Sequence, residues 1–177
     1  MRTSYAVYQR PAGSPRRAAP IPGFRLFRWS PTLLAAAPVE LVHDRNGFRK
    51  NWLYHLPAIL FRPSKTYAVY MLLRDEMPLC QCILTPASKR FAFMQPDDWQ
   101  IGLVYTAPEY RGQGIGRIMV EEILRERGES GSYWWLTEDE NVPSRRLAES
   151  TLFVHVGEAV RRRGLSGVPY FEIGKVA

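Results

Sequence analysis

The spacing of apolar positions changes several times along the chain, and each change marks an element. Phe24–Trp29 alternates apolar and basic side chains, as a short half-buried strand does. Ser30-Pro31 supplies a capping residue and a first-turn proline, which predicts a helix to about Ala37. Phe48, Trp52, Leu56 and Ile59 share one face of a helix over about Gly47–Leu60, with Pro57 as a disturbance. Thr66–Leu73 is β-branched and aromatic and predicts a strand; Arg74–Met77 is a turn and Pro78–Leu84 the returning strand. Thr85–Lys89 reads as loop, Phe91–Met94 as a further extended piece, Gln95–Asp98 as a turn and Trp99–Thr106 as a strand.

Ile115–Arg127 has helical spacing, with Ile115, Ile118, Met119 and Ile123 on the apolar face. Glu121 and Arg125 suit an i,i+4 ion pair, and Gly128 suits a helix stop. Tyr133–Thr137 predicts a buried strand, about Ser144–Ser150 a short helix, and Val154–Val160 and Val168–Ile173 two closing strands. Antiparallel-type strands with interspersed helices predict a mixed α/β (α+β) layered domain.

Composition narrows the picture without changing it. A chain of 177 residues, 46% apolar and 23% charged, forms a sizeable core without staples. No apolar run approaches the ~20 residues of a membrane-crossing helix, so the expectation is a soluble, cytoplasmic protein. Two cysteines, Cys80 and Cys82, exclude a disulfide scaffold and are expected to be buried thiols. His43, His55 and His155 lack ligand spacing, so no metal site is expected.

Charge is uneven. Of the 24 bases, six (Arg2, Arg10, Arg16, Arg17, Arg25, Arg28) fall in residues 1–39, which hold no acid, while the rest is nearly neutral. With Pro11, Pro15, Pro20 and Pro22, residues 1–22 read as a mobile basic arm ahead of one domain over 23–177. Such an arm attracts nucleic acid or an acidic partner; a solvated tail is the favoured reading. Arg161-Arg162-Arg163 reads as a solvated face.

The sharpest chemical signal is Arg111-Gly112-Gln113-Gly114-Ile115-Gly116, between a strand end and a helix start. Bare backbone and a helix amino terminus together make a site for phosphate. A nucleotide-binding loop needs Lys-Ser/Thr after its last glycine, and Arg117-Ile118 stand there; a dinucleotide fingerprint needs a glycine at 117. The segment Tyr105–Gly116 instead resembles the acyl-CoA loop of the GNAT N-acetyltransferase superfamily, Gln/Arg-x-x-Gly-x-Gly/Ala, with Arg111, Gly114 and Gly116 at the fixed positions. Beyond the following helix and strand, Asn141-Val142-Pro143-Ser144 is similar to the family's Asn-x-x-Ala/Ser element, and Phe153 fits the strand start after its helix, although Leu152 stands where glycine is common.

The resemblance implies a central mixed, mostly antiparallel sheet with flanking helices and a V-shaped opening between the family's fourth and fifth strands. It implies acetyl-CoA as cosubstrate, with its pantetheine along the backbone of Val104, Tyr105 and Thr106. The pyrophosphate would lie on Gly112, Gln113, Gly114, Ile115, Gly116 and Arg117 behind Arg111, with Asn141 and Ser144 on the far side. It implies direct acyl transfer to a primary amine, of a small molecule such as an amino sugar or amino acid, or else of a protein or aminoacyl-tRNA. A catalytically degenerate acyl-CoA-binding module is the other alternative. The resemblance further implies an acceptor pocket near Trp52, Tyr54 and His55, and homodimers as a common assembly.

The family's catalytic side chains are missing. Its tyrosine acid falls at Ala148, and its two carboxylate positions fall at Gln100 and Leu136. Asp98, two residues before Gln100, and Glu138 are the candidate bases, against plain readings as turn and loop carboxylates. Tyr133 and Tyr170 are candidate acids, against core aromatics.

Overall fold

A computed structural model describes residues 4–15, 20–34, 52, 53, 55–57, 59, 60, 66–128, 131–163 and 169–174. Its strands are β1 (Ser4–Arg10), β2 (Arg25–Trp29), β3 (Ala68–Arg74), β4 (Met77–Pro86), β5 (Trp99–Thr106), β6 (Tyr133–Glu138), β7 (Val154–Arg163) and β8 (Pro169–Ile173). Helices α1 (Ile115–Arg127) and α2 (Val142–Ser150) follow β5 and β6. The strand order is β2-β3-β4-β5-β6-β1-β7-β8. β5 and β6 pair in parallel, from Trp99 with Tyr133 to Ile101 with Trp135, and the other described ladders are antiparallel. This is the mixed, mostly antiparallel sheet expected.

The chain divides into two compact units: Met1–Pro15, Pro86–Ile101 and Glu129–Ala177 form the first, and Arg16–Thr85 and Gly102–Gly128 the second. In the second unit β3 is buried over Ala68–Leu73, so it reads as a continuous apolar run, not an alternation. Tyr67, Val69 and Ile83 pack with Trp29 and Trp52. Residues 52, 53, 55–57, 59 and 60 are helical, Pro57 included. Trp52 donates its indole N–H to the Thr32 carbonyl at 2.8 Å, and His55 is buried edge-on to Tyr67. Their plain packing role is the one seen. Tyr54 and residues 35–51 lie outside the described residues. Ser30–Leu34 is not helical.

Helix α1 buries Ile115, Met119, Val120, Ile123 and Leu124, together with Glu122. Glu122 accepts the Ile21 N–H at 2.8 Å and pairs with Arg125 at 3.0 Å. The expected Glu121–Arg125 pair is therefore replaced: Arg125 turns to the buried carboxylate, and Glu121 takes Arg117 at 2.7 Å.

In the first unit β1 corrects the reading of residues 1–22 as an arm. Ser4–Arg10 pairs with β6 on one edge, from Tyr5 with Glu138 to Arg10 with Tyr133, and with β7 on the other, from Ser4 with Val160 to Gln9 with Val154. Ala6, Val7, Tyr8 and Arg10 are all buried, so the strand lacks the alternation that marks a half-exposed one. Arg10 is tied to the carbonyls of Thr151 and Pro15, and Arg25 pairs with Glu76, so these two charges belong to the fold. Arg2, Arg16 and Arg17 lie outside the described residues. Phe91–Met94 is a turn with a single parallel bridge to Phe171, not a strand.

Deleting residues 1–10 strips β6 and β7 of a shared partner. The expected result is loss of the cooperative thermal transition in circular dichroism; a dispensable arm would leave the midpoint unchanged.

Candidate functional site

The glycine segment lies wholly in the second unit. β5 runs toward it through Leu103, which takes a left-handed φ of 49° and breaks the regular strand before Val104–Thr106. The Ala107 N–H bonds to the Leu79 carbonyl at 3.0 Å, and the Thr106 hydroxyl donates to Cys80 Sγ at 3.4 Å, fixing the strand end. Pro108–Tyr110 makes one 3-10 turn. Arg111 then folds back: its Nε donates to the Thr106 carbonyl at 3.1 Å, and its guanidinium lies 5.2 Å from the Tyr105 ring centroid. Gln113 donates to the Glu109 carbonyl at 3.0 Å. Both long side chains brace the loop from below.

What they leave above is bare backbone. Gly112 and Gly114 have φ of 73° and 77°, conformations that favour glycine, and a Cβ at either would meet nothing within 4 Å. Gly114 is the N-cap of α1 and gives it no side-chain cap, and the first turn holds no acid. The first-turn N–H groups and the positive end of the helix dipole therefore face open space. That is the chemistry of an anion cradle. Arg117 adds an exposed charge beside it, shared with Glu121.

The Asn141 and Ser144 pair lies in the first unit. Asn141 Oδ1 caps α2 by accepting the Ser144 N–H at 3.2 Å, and Ser144 Oγ accepts the Trp135 indole N–H at 3.0 Å. Each thus has a structural partner. Ala148 is fully buried, and Gln100 and Leu136 are half-buried.

The two candidate bases separate cleanly. Asp98 is 4% exposed and accepts three N–H groups, from Ser132 at 2.8 Å, Gln95 at 2.9 Å and the Trp134 indole at 2.7 Å. Gly131 is required alongside, because a Cβ there would lie 1.9 Å from the Asp97 carbonyl oxygen. Asp98 is the post that joins the Gln95–Asp98 turn to the start of β6, and its lone pairs are committed to that work. These bonds are those of the plain reading, a turn carboxylate. Glu138 ends β6 exposed, with no side-chain partner among the described residues. Of the candidate acids, Tyr133 is buried and Tyr170 half-buried.

Sequence reasoning passed over Tyr8, which no motif marks. Its buried phenol donates to Glu149 at 3.0 Å and accepts from Arg145 Nε at 3.1 Å, so β1 is locked to α2. Burial raises its pKa, with Arg145 pulling the other way. The thiols are inert: burial pushes Cys80 up to about 11 and Cys82 well above its ordinary value.

Fold and loop together are a mixed, mostly antiparallel sheet with a glycine-lined, uncapped helix start at α1. The family model described as the acetyltransferase (GNAT) family matches residues 45–153, and the chain belongs to that family. No curated protein matches it. Solved structures do, at low identity. A GCN5-related N-acetyltransferase from Sphaerobacter thermophilus is 15% identical with a TM-score of 0.55, covering 90% of this chain and 50% of its own. A GNAT-family acetyltransferase from Colwellia psychrerythraea is 13% identical with a TM-score of 0.55, covering 97% and 56%. A GCN5-related N-acetyltransferase from Kribbella flavida is 14% identical with a TM-score of 0.50, covering 90% and 56%. The chain thus spans little more than half the length of these proteins, and they establish its fold. Among the described residues, no helix is long and apolar enough to cross a membrane.

Asp98→Ala strands three donors and is expected to cost roughly 3 kcal/mol, read from urea unfolding. Alkaline pH should also destabilise the fold. Cys80, Cys82, Tyr67 and Tyr70 all hold their protons more tightly when buried in the folded chain. Stability therefore falls as pH rises past the ordinary thiol value of 9.0, the Cys80 contribution being spent by about 11. Urea midpoints measured across that range check it.

Proposed function

We propose that the protein transfers an acyl group, acetyl in the first instance, from coenzyme A to the primary amine of a small molecule. The observation that supports this most is the uncapped, glycine-lined start of α1, open above Gly112 and Gly114 and free of acid in its first turn. A pyrophosphate suits that cradle, with Arg111 bracing the loop and Gly112–Arg117 supplying amides. Asn141 and Ser144 fit the matching family positions. The pantetheine arm would run along Val104, Tyr105 and Thr106, past the break at Leu103.

In the reaction the neutral amine attacks the thioester carbonyl. A C–N bond forms, the C–S bond breaks, and the sulfur leaves with the electron pair as thiolate. The amine proton passes to a base and the thiolate takes up a proton. Backbone N–H groups at β5 would stabilise the oxyanion, and joint positioning supplies much of the rate. Glu138, exposed and without a side-chain partner among the described residues, is the carboxylate we assign to receive the proton, directly or through water.

Calorimetry with acetyl-CoA tests the cofactor site. Gly116→Glu puts a carboxylate in the first helical turn, where the dipole favours it, so folding is kept while the diphosphate is repelled. Affinity is expected to fall at least about 100-fold. No acetyl-CoA binding by the unmodified protein at about 1 mM would sink the reading. Thiol release on adding amines then reports turnover. The buried Cys80 and Cys82 should give no background with a thiol reagent at about pH 8.

A further inference from the structure

The exposed sulfur among the described residues is that of Met77. Cys80, Cys82, Met71, Met94 and Met119 are buried, whereas Met77 is 55% exposed. It opens β4 directly after a tight hairpin turn, in which Asp75 and Glu76 take left-handed φ of 49° and 63°. Cross-strand pairing with Arg74 fixes where its side chain leaves the strand.

This sulfur has a partner. Tyr110 donates its phenol O–H to Met77 Sδ at 3.3 Å. Tyr110 ends the 3-10 turn Pro108–Tyr110 that leads into the glycine loop, and Met77, the turn and the loop all belong to the second unit. The chain just before the turn is fastened to β4 as well: the Ala107 N–H bonds to the Leu79 carbonyl at 3.0 Å, and the Thr106 hydroxyl to Cys80 Sγ at 3.4 Å. Leu79 and Cys80 are buried, so those fastenings are shielded. The Tyr110–Met77 contact is the outer fastening and the nearest in sequence to Gly112 and Gly114. Past it, Arg111 and Gln113 tie back to the carbonyls of Thr106 and Glu109, within the loop and its own approach.

We infer that Met77 is an oxidation site that sets the hold of β4 on the glycine loop. The oxidant is a hydroperoxide. The thioether sulfur attacks its terminal oxygen, an S–O bond forms and the O–O bond breaks. The departing oxygen takes the electron pair, then the proton carried on the transferred oxygen, and leaves as water or an alcohol. Sulfur loses two electrons and the peroxide gains them, leaving methionine sulfoxide. With Tyr110 Oη only 3.3 Å from the sulfur, an oxygen placed between them stands inside the shortest hydrogen bond, so the phenol has to withdraw. An oxygen placed elsewhere draws electron density off the sulfur, and the phenol loses its acceptor. Either geometry frees the turn while the buried fastenings keep the strand end. The oxidation site stands apart from any reading of function; its consequence, weaker acetyl-CoA binding, rests on the proposed cofactor site.

Peroxide treatment of the full chain, followed by peptide mass spectrometry, is the test. Met77 is expected to gain its oxygen at least about tenfold faster than Met71, Met94 and Met119. Amide hydrogen exchange over residues 108–114 is expected to rise about fivefold in the oxidised chain and to fall back after treatment with methionine sulfoxide reductase. Acetyl-CoA affinity, by calorimetry, should drop about fivefold and recover in the same way. Met77→Leu, an apolar swap at an exposed position, keeps the fold and should show neither response to peroxide. Oxidation of Met77 no faster than of the buried methionines, unchanged exchange or affinity in the oxidised chain, or an equal response in Met77→Leu overturns the inference. Absence of acetyl-CoA binding in the untreated chain would strike the cofactor reading, while hydrogen exchange still decides whether Met77 holds the loop.

Discussion

Backbone amides need acceptors, and this chain meets that demand in opposite ways at two places. At β1 both edges are paired, to β6 and, across a register shift between Val7 and Tyr8, to β7, so a buried strand has ladder partners on both sides. At the start of α1 the first-turn groups are left without a side-chain cap. The first arrangement costs nothing further and holds the first unit together. The second is a standing deficit of the kind that a bound anion relieves.

The same division of labour runs through the polar side chains. Asp98, Glu122 and Arg10 are buried and satisfied, each joining segments distant in sequence. Their charges do mechanical work, and removing any one strands donors or acceptors in the interior. Glu138 and Arg117 are exposed, and Gly112 and Gly114 have open space above them. Groups available to a ligand are those the fold does not need.

Much of this was legible in the sequence where local chemistry decides the outcome. Trp99–Thr106 and Ile115–Arg127 match their strand and helix to the residue, because the pattern, the glycine cap and the Gly128 stop all agree. The glycine loop carried its own signal. β1 was hidden because its neighbours on both sides erase the period-two pattern, and Arg10 looked like surface charge until Thr151 and Pro15 supplied its acceptors. Asp98 carried two readings, base and turn carboxylate, because Ser132 and Trp134, which engage it, are remote in sequence.

The position of β1 also sets the order in which the fold can close. Residues 4–10 find their partners in 133–138 and 154–160, so the strand waits, unpaired, while nearly the whole domain is made. Such long-range closure slows folding and leaves an apolar segment, Tyr5–Tyr8, free to pair with other chains meanwhile. The second unit is built from residues 16–85 and 102–128, all made before β6 and β7. The glycine-lined start of α1 would then exist on the nascent chain before β1 finds its partners, and any anion held there would add its binding energy to the intermediate while the last strands arrive.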